Sequence, residues 1–270
     1  MQPSIRRLHL PAVDGRLNEQ ERVADMSRFK KASRSALFLT VMAGVAFCMT
    51  PAMAMTMSPL EMELTAGGTY ARTQFQVSNN SDKPLPIEIT FDRLSYTEAG
   101  EHKTRAAADD LLIFPATAMI PPGGTQTFRV QYVGSPDITT SQSFLVNARQ
   151  LPVKMKADGK SHLQVVNAFG AILNVAPLTG TSMLNLVSSS PARTAAGQPA
   201  LSILVENPTN VHALIANAAL VVGNQKINAE TMRANVGFGV VEPHKRRRFL
   251  VPLQAPASGA AKLEYRPSQR

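Results

Sequence analysis

The stretch HLQVVNAFGAILNVAP, residues 162–177, is long, contains no Lys, Arg, Asp or Glu, and is rich in β-branched and small residues. One alternating set is Leu163, Val165, Asn167, Phe169, Ala171, Leu173 and Val175. The other is Gln164, Val166, Ala168, Gly170, Ile172, Asn174 and Ala176. Apolar residues occur in both sets, so the stretch reads as a strand with little solvent contact on either face. At about 3.3 Å per residue the alternating residues 163–176 would run roughly 45 Å, longer than most strands. Such a strand needs cover on each side, and a side without a partner in its own chain is an open site. The competing reading is the central strand of an ordinary sandwich.

Outward from this stretch, the chain reads as all-β. Thr73, Phe75 and Val77 alternate with Arg72, Gln74 and Gln76, and Ile87, Ile89 and Phe91 alternate with Glu88, Thr90 and Asp92. Phe128, Val130 and Tyr132 alternate around Arg129 and Gln131, and Ser143–Pro152 forms a further strand. Turn clusters separate these runs: Asn79–Pro84, Pro121–Gly124 and Gly134–Thr140. Residues 97–110 are polar and read as a loop. This spacing suggests a seven-stranded sandwich. Pro177-Leu178-Thr179-Gly180 reads as a joint, after which the pattern restarts with Ala200–Glu206, Ala218–Val222 and Phe249–Leu253. The expected organisation is residues 1–54 outside the fold, a first β domain at 55–178 and a smaller one at 179–270.

The leading residues carry their own signal. Met26 opens a segment with Arg28, Lys30, Lys31 and Arg34, followed by the apolar run Ala36–Met49 and the A-x-A site Ala52-Met53-Ala54. That order is expected of a secretory signal peptide cut after Ala54, with Met26 the expected initiator. The run is too short for a membrane span with a stop-transfer flank. Removing residues 1–54 leaves 20 basic and 15 acidic residues, a net +5 against +9 for the full chain. Such an excess does not argue for nucleic acid. The single cysteine, Cys48, would leave with the leader, so no disulfide is expected.

Chemistry-bearing motifs are absent. His9, His102, His162, His212 and His244 fall in no metal-binding spacing, and no P-loop, G-x-S-x-G or G-x-G-x-x-G occurs. No catalytic residue, metal or cofactor is expected. Met53, Met55, Met57 and Met62 could in principle attract Cu(I), but read more simply as a frayed leading strand. Lys245-Arg246-Arg247-Arg248 reads as a solvated hairpin, the alternative being contact with an acidic surface or lipid headgroups. Arg129 and Arg149 each interrupt an alternating strand. An internal ion pair or a snorkelling side chain is expected for Arg129. For Arg149 the choice between such a pair and an anion site in a cleft stays open.

Taken together, FLVNARQLP (residues 144–152), Pro122-Gly123-Gly124, Ser135-Pro136-Asp137 and Leu163 through Pro177 follow the order seen in the first domain of PapD-like periplasmic pilus chaperones. The FGAILNVAP end is similar to variants paired with archaic, spore-coat-U-type pilins. The resemblance covers residues 57–177 well, and the second domain only through Glu206–His212. It implies two immunoglobulin-like β-sandwich domains in a boomerang arrangement. It also implies capture of fimbrial or pilus subunits by donor-strand complementation, delivery to an outer-membrane usher, and no enzyme activity. Leu163, Val165, Asn167 and Phe169 are then the expected subunit-binding face, with Gly170 a candidate bulge. The family's Arg on the first strand and Lys on the donor strand correspond to Glu61 and Ile172. The carboxylate anchor is therefore expected at Arg149 or on backbone N–H groups. The alternative function is a structural, Ig-like pilin or adhesin subunit.

Overall fold

The computed structural model describes residues 55–107, 109–152 and 168–267. The leader, its cleavage site and Leu163, Val165 and Asn167 lie outside the described residues.

Among the described residues, ten strands build the first sandwich. They are β1 (Met55–Ser58), β2 (Glu61–Thr65), β3 (Arg72–Asn79), β4 (Leu85–Tyr96), β5 (His102–Ala106), β6 (Leu111–Phe114), β7 (Thr117–Ile120), β8 (Thr125–Tyr132), β9 (Gln142–Gln150) and β10 (Ala168–Ala176). One sheet has the order β1-β3-β8-β6. The other runs β2-β10-β9-β4-β5, with β7 also paired to β4. The period-2 pattern decides which side chains enter the core. Phe75, Val77, Phe128 and Val130 descend from the first sheet; Ile87, Ile89, Phe144, Val146, Leu173 and Val175 rise from the second. Phe75 and Phe128 stack at 5.3 Å between centroids.

Three local expectations change. Met55, Met57 and Met62 are not frayed; all three are buried in this core, where flexible thioethers fill gaps between the sheets. The stretch 97–110 is not all loop, because His102–Ala106 pairs with β4 as an edge strand. All five residues of β5 are exposed, so no apolar alternation marks it in the sequence. The ladder between β9 and β10 runs from Arg149↔Ala168 to Gln142↔Val175 without a register break, so Gly170 hosts no bulge. Its role is close approach: a Cβ at Gly170 would lie 2.9 Å from Leu145 Cδ1.

A second hydrophobic core begins at Leu184. It is enclosed by β11 (Asn185–Arg193), β12 (Pro199–Glu206) and β17 (Arg246–Pro252) in one sheet. Facing it are β14 (Ala218–Val222), β15 (Gln225–Ile227) and β18 (Ala261–Tyr265), with the short pair β13 (Ala213–Leu214) and β16 (Val240–Val241). One helix, α1 (Ala229–Val236), interrupts the strands. Asn228 caps it by accepting the Thr231 N–H at 2.8 Å, and Gly237, at φ 75°, ends it.

Direct bonds join the two sandwiches. Arg248 N–H donates to Glu98 O at 2.7 Å, Ser141 N–H to Asn210 O at 2.9 Å, and His212 N–H to Ser141 Oγ at 3.0 Å. Between them Tyr96 and Ile172 pack on Leu214, Ala216 and Val240.

Candidate functional site

The decisive local geometry is at β10. Its C-terminal half is covered on both faces: Ala171, Leu173, Asn174, Val175 and Ala176 are all buried. The same half is paired on both edges, antiparallel to β9 and parallel to β2. Pairing with β2 starts only at Ile172, whose N–H donates to Leu60 O at 2.9 Å. Backbone groups alternate in direction along a strand, so Gly170 and Ala168 turn theirs to the same side as Ile172. No described strand meets them there. Among the described residues, the first four of β10 are thus half a ladder, held by β9 with the other edge open.

Phe169, the one described member of the expected subunit-binding face, is half-buried and packs against the first core. It belongs to the alternation that continues into buried Ala171, Leu173 and Val175. Arg149 lies opposite Ala168 in the ladder, with its side chain 58% exposed on the face turned from the core. Its guanidinium donates to Glu88 Oε2 at 2.8 Å. Arg129 is exposed on β8, not internal, and no ion pair engages it among the described residues.

Glu61 and Ile172 are register partners across β2 and β10. Where a pair of cations was the family pattern, there is one carboxyl and one hydrocarbon. Burial pushes the Glu61 carboxyl above its ordinary value, with the neighbouring Glu63 adding to the shift. The charge of Arg233 and the amide of Asn174 pull it back. Asn174 is itself fully buried, and its Oδ1 accepts the Ser143 hydroxyl at 2.7 Å.

The basic run 245–248 is not a free solvated hairpin. Lys245 pairs with Glu242 at 3.0 Å, Arg246 with Glu206 at 3.1 Å and Arg248 with Glu98 at 3.4 Å. Arg247 turns inward, lies 3.6 Å from the Tyr96 ring centroid, and donates to Val240 O at 2.6 Å. Burial lowers its guanidinium from the ordinary value. Arg247 and Arg248 thus serve the contact between the sandwiches, a role legible only once Tyr96 and Glu98 are seen to face them.

Residues 56–173 match the family described as "Pili and flagellar-assembly chaperone, PapD N-terminal domain". The chain thus carries a PapD-like pilus-assembly chaperone N-terminal domain over these residues. No curated protein matches the sequence. Among solved structures, the PapD-like chain is similar to the Pseudomonas aeruginosa CupB2 chaperone at 17% identity. That match covers 78% of this chain and 92% of the other, with a TM-score of 0.48. It is also similar to a chain of the Salmonella enterica SafA pilin–SafB chaperone complex, at 17% identity, 81% and 91% coverage and a TM-score of 0.48. The YadV chaperone matches at 13% identity, 80% and 94% coverage and a TM-score of 0.49. Among the described residues of the PapD-like chain, no group of His, Cys, Asp and Glu is disposed to hold a metal ion. Nor is any described helix long and apolar enough to cross a membrane.

Proposed function

We propose that the protein is a periplasmic chaperone that captures fimbrial or pilus subunits by donor-strand complementation and passes them to an outer-membrane usher. In this reading the segment from Met26 to Ala54 directs export and the chain is cut after Ala54. The working chain is then a subunit-binding domain at 55–178 and a second domain at 179–270. The observation that carries it is the open edge of β10 at Ala168–Ala171, at the end of a charge-free stretch. Backbone pairing at such an edge holds another strand with little demand on its sequence, while alternate side chains fill its pockets. Leu163, Val165 and Phe169 are the proposed pocket-filling residues, with Asn167 at a shallower position. Each buried Leu or Val would contribute roughly 1.5–3 kcal/mol. Arg149, on β9 across β10 from the open edge, is the proposed anchor for the subunit's terminal carboxylate; it would exchange Glu88 for that ligand.

Val165→Asp tests the assignment cleanly, because Phe169 also packs on the chaperone's own core. The variant, purified from periplasm, is expected to melt like the parent, to carry Met55 at its N-terminus by intact mass, and to lose the co-purified subunit. An unpartnered charge in the subunit groove is the cause. A folded variant that still captures subunit normally, or one that unfolds, sinks the donor-strand assignment.

A further inference from the structure

A second site lies at the far edge of the same sheet, three strands from β10. A cavity of about 270 Å³ opens there, lined by Arg93, Ser95, Lys103, Arg105, Gln142 and Glu242. Its cations are set in register. Arg93 is directly opposite Arg105, and Ser95 directly opposite Lys103, so all four side chains share one face. Like charges placed directly across a ladder are destabilising. Only Arg93 has an acidic partner, Asp110 at 2.6 Å; Lys103 and Arg105 have no ion pair among the described residues. The one lining carboxylate is already engaged: Glu242 Oε2 accepts the Tyr96 N–H at 2.9 Å and Oε1 the Lys245 ammonium at 3.0 Å.

Cations on an edge strand ordinarily serve to block edge-to-edge pairing. That accounts for basic residues facing solvent. It does not account for Lys103 and Arg105 being set in register with Ser95 and Arg93 on one face of a cavity, where cations on the edge strand alone would block pairing as well. A peptide segment brings a carboxylate for Lys103 and Arg105 and backbone groups for the strand edge beside them. β5 itself is wholly exposed and, among the described residues, unpaired on its outer side, as an extended segment requires.

We infer that this pocket binds an extended acidic segment of a polypeptide partner, with a carboxylate side chain held between Lys103 and Arg105. It is separate from the open edge of β10 and does not depend on the proposed subunit capture.

The probe is a blocked hexapeptide with Asp and Glu at its four central positions, set against its Asn/Gln counterpart. Calorimetric titration of the purified mature protein should show the acidic peptide binding more tightly by about tenfold, with affinity falling as salt is added. Lys103→Gln combined with Arg105→Gln should abolish that preference without lowering the melting temperature, since both side chains are exposed and Arg105 faces a like charge. Lys226→Gln, an exposed change in the second sandwich, should leave it intact. Equal affinity for the two peptides overturns the proposal, as does full binding by the double variant. Inorganic phosphate that binds where the acidic peptide does not overturns the polypeptide assignment.

Discussion

Glu61 shows how one residue departs from its surroundings. It sits on a sheet face beside Ile172 and in line with Glu63, partly withdrawn from water, and its carboxyl is raised mainly by that withdrawal. A carboxyl whose folded-state pKa lies above its unfolded value binds more protons when folded. Its stabilising share is present below the ordinary value of 4.5 and is lost as pH rises through the raised folded value. Glu61→Gln should therefore raise the melting temperature at pH 7, and the gain should shrink as the pH approaches 4.5. A gain that persists unchanged at pH 4 would assign it to packing instead. The departure was legible in the sequence as a Glu at a family Arg position. Its electrostatic setting was not, because Asn174 and Arg233 come from distant parts of the chain.

At the scale of elements, two buried asparagines close corresponding turns in the two sandwiches. Asn79 Nδ2 donates to Lys83 O, Ile120 O and Pro121 O, while its Oδ1 accepts the Ser81 N–H and hydroxyl. Asn207 Nδ2 donates to Val211 O and Val241 O, and its Oδ1 accepts the Thr209 N–H and hydroxyl. In each case one side chain satisfies carbonyls from two chain segments that strand pairing leaves over. Asn79→Ala strands several buried acceptors and should cost roughly 2–4 kcal/mol, read as a shift in the urea midpoint. A loss within error of zero would mean that water replaces the amide there. The turn clusters were visible in the sequence as N-x-S and N-x-T. Their reach to residues 120 and 241 was not, since it depends on which strand comes alongside.

For the whole molecule, Arg247 joins the two halves. Its guanidinium lies over Tyr96 of the first sandwich and 4.9 Å from the Phe249 ring centroid of the second. A cation over an aromatic face is worth about 2 kcal/mol when desolvated. A double-mutant cycle of Arg247→Ala and Tyr96→Leu should therefore return a coupling of about 1–2 kcal/mol. Additive losses would show that the stack carries nothing and that the Glu98–Arg248 and Ser141–Asn210 bonds hold the junction.

Period-2 alternation by itself determined the all-β class and most of the two cores, because side-chain direction in a strand follows position in the chain. Phe75, Ile87, Phe128 and Ile203 are inside for that local reason. The charge-free run before Pro177 likewise marked β10 as the strand to watch. Elements without local contrast stayed hidden. The edge strand β5 is polar up to Ala106, and α1 is eight residues whose cap signals, Asn228 and Gly237, stand beside no long apolar stripe. The buried methionines, the inward turn of Arg247 and the register of Arg93 against Arg105 were decided only by tertiary structure. Each depends on which distant segment lies opposite, and a free energy shared between segments far apart in the chain leaves no pattern in either one alone.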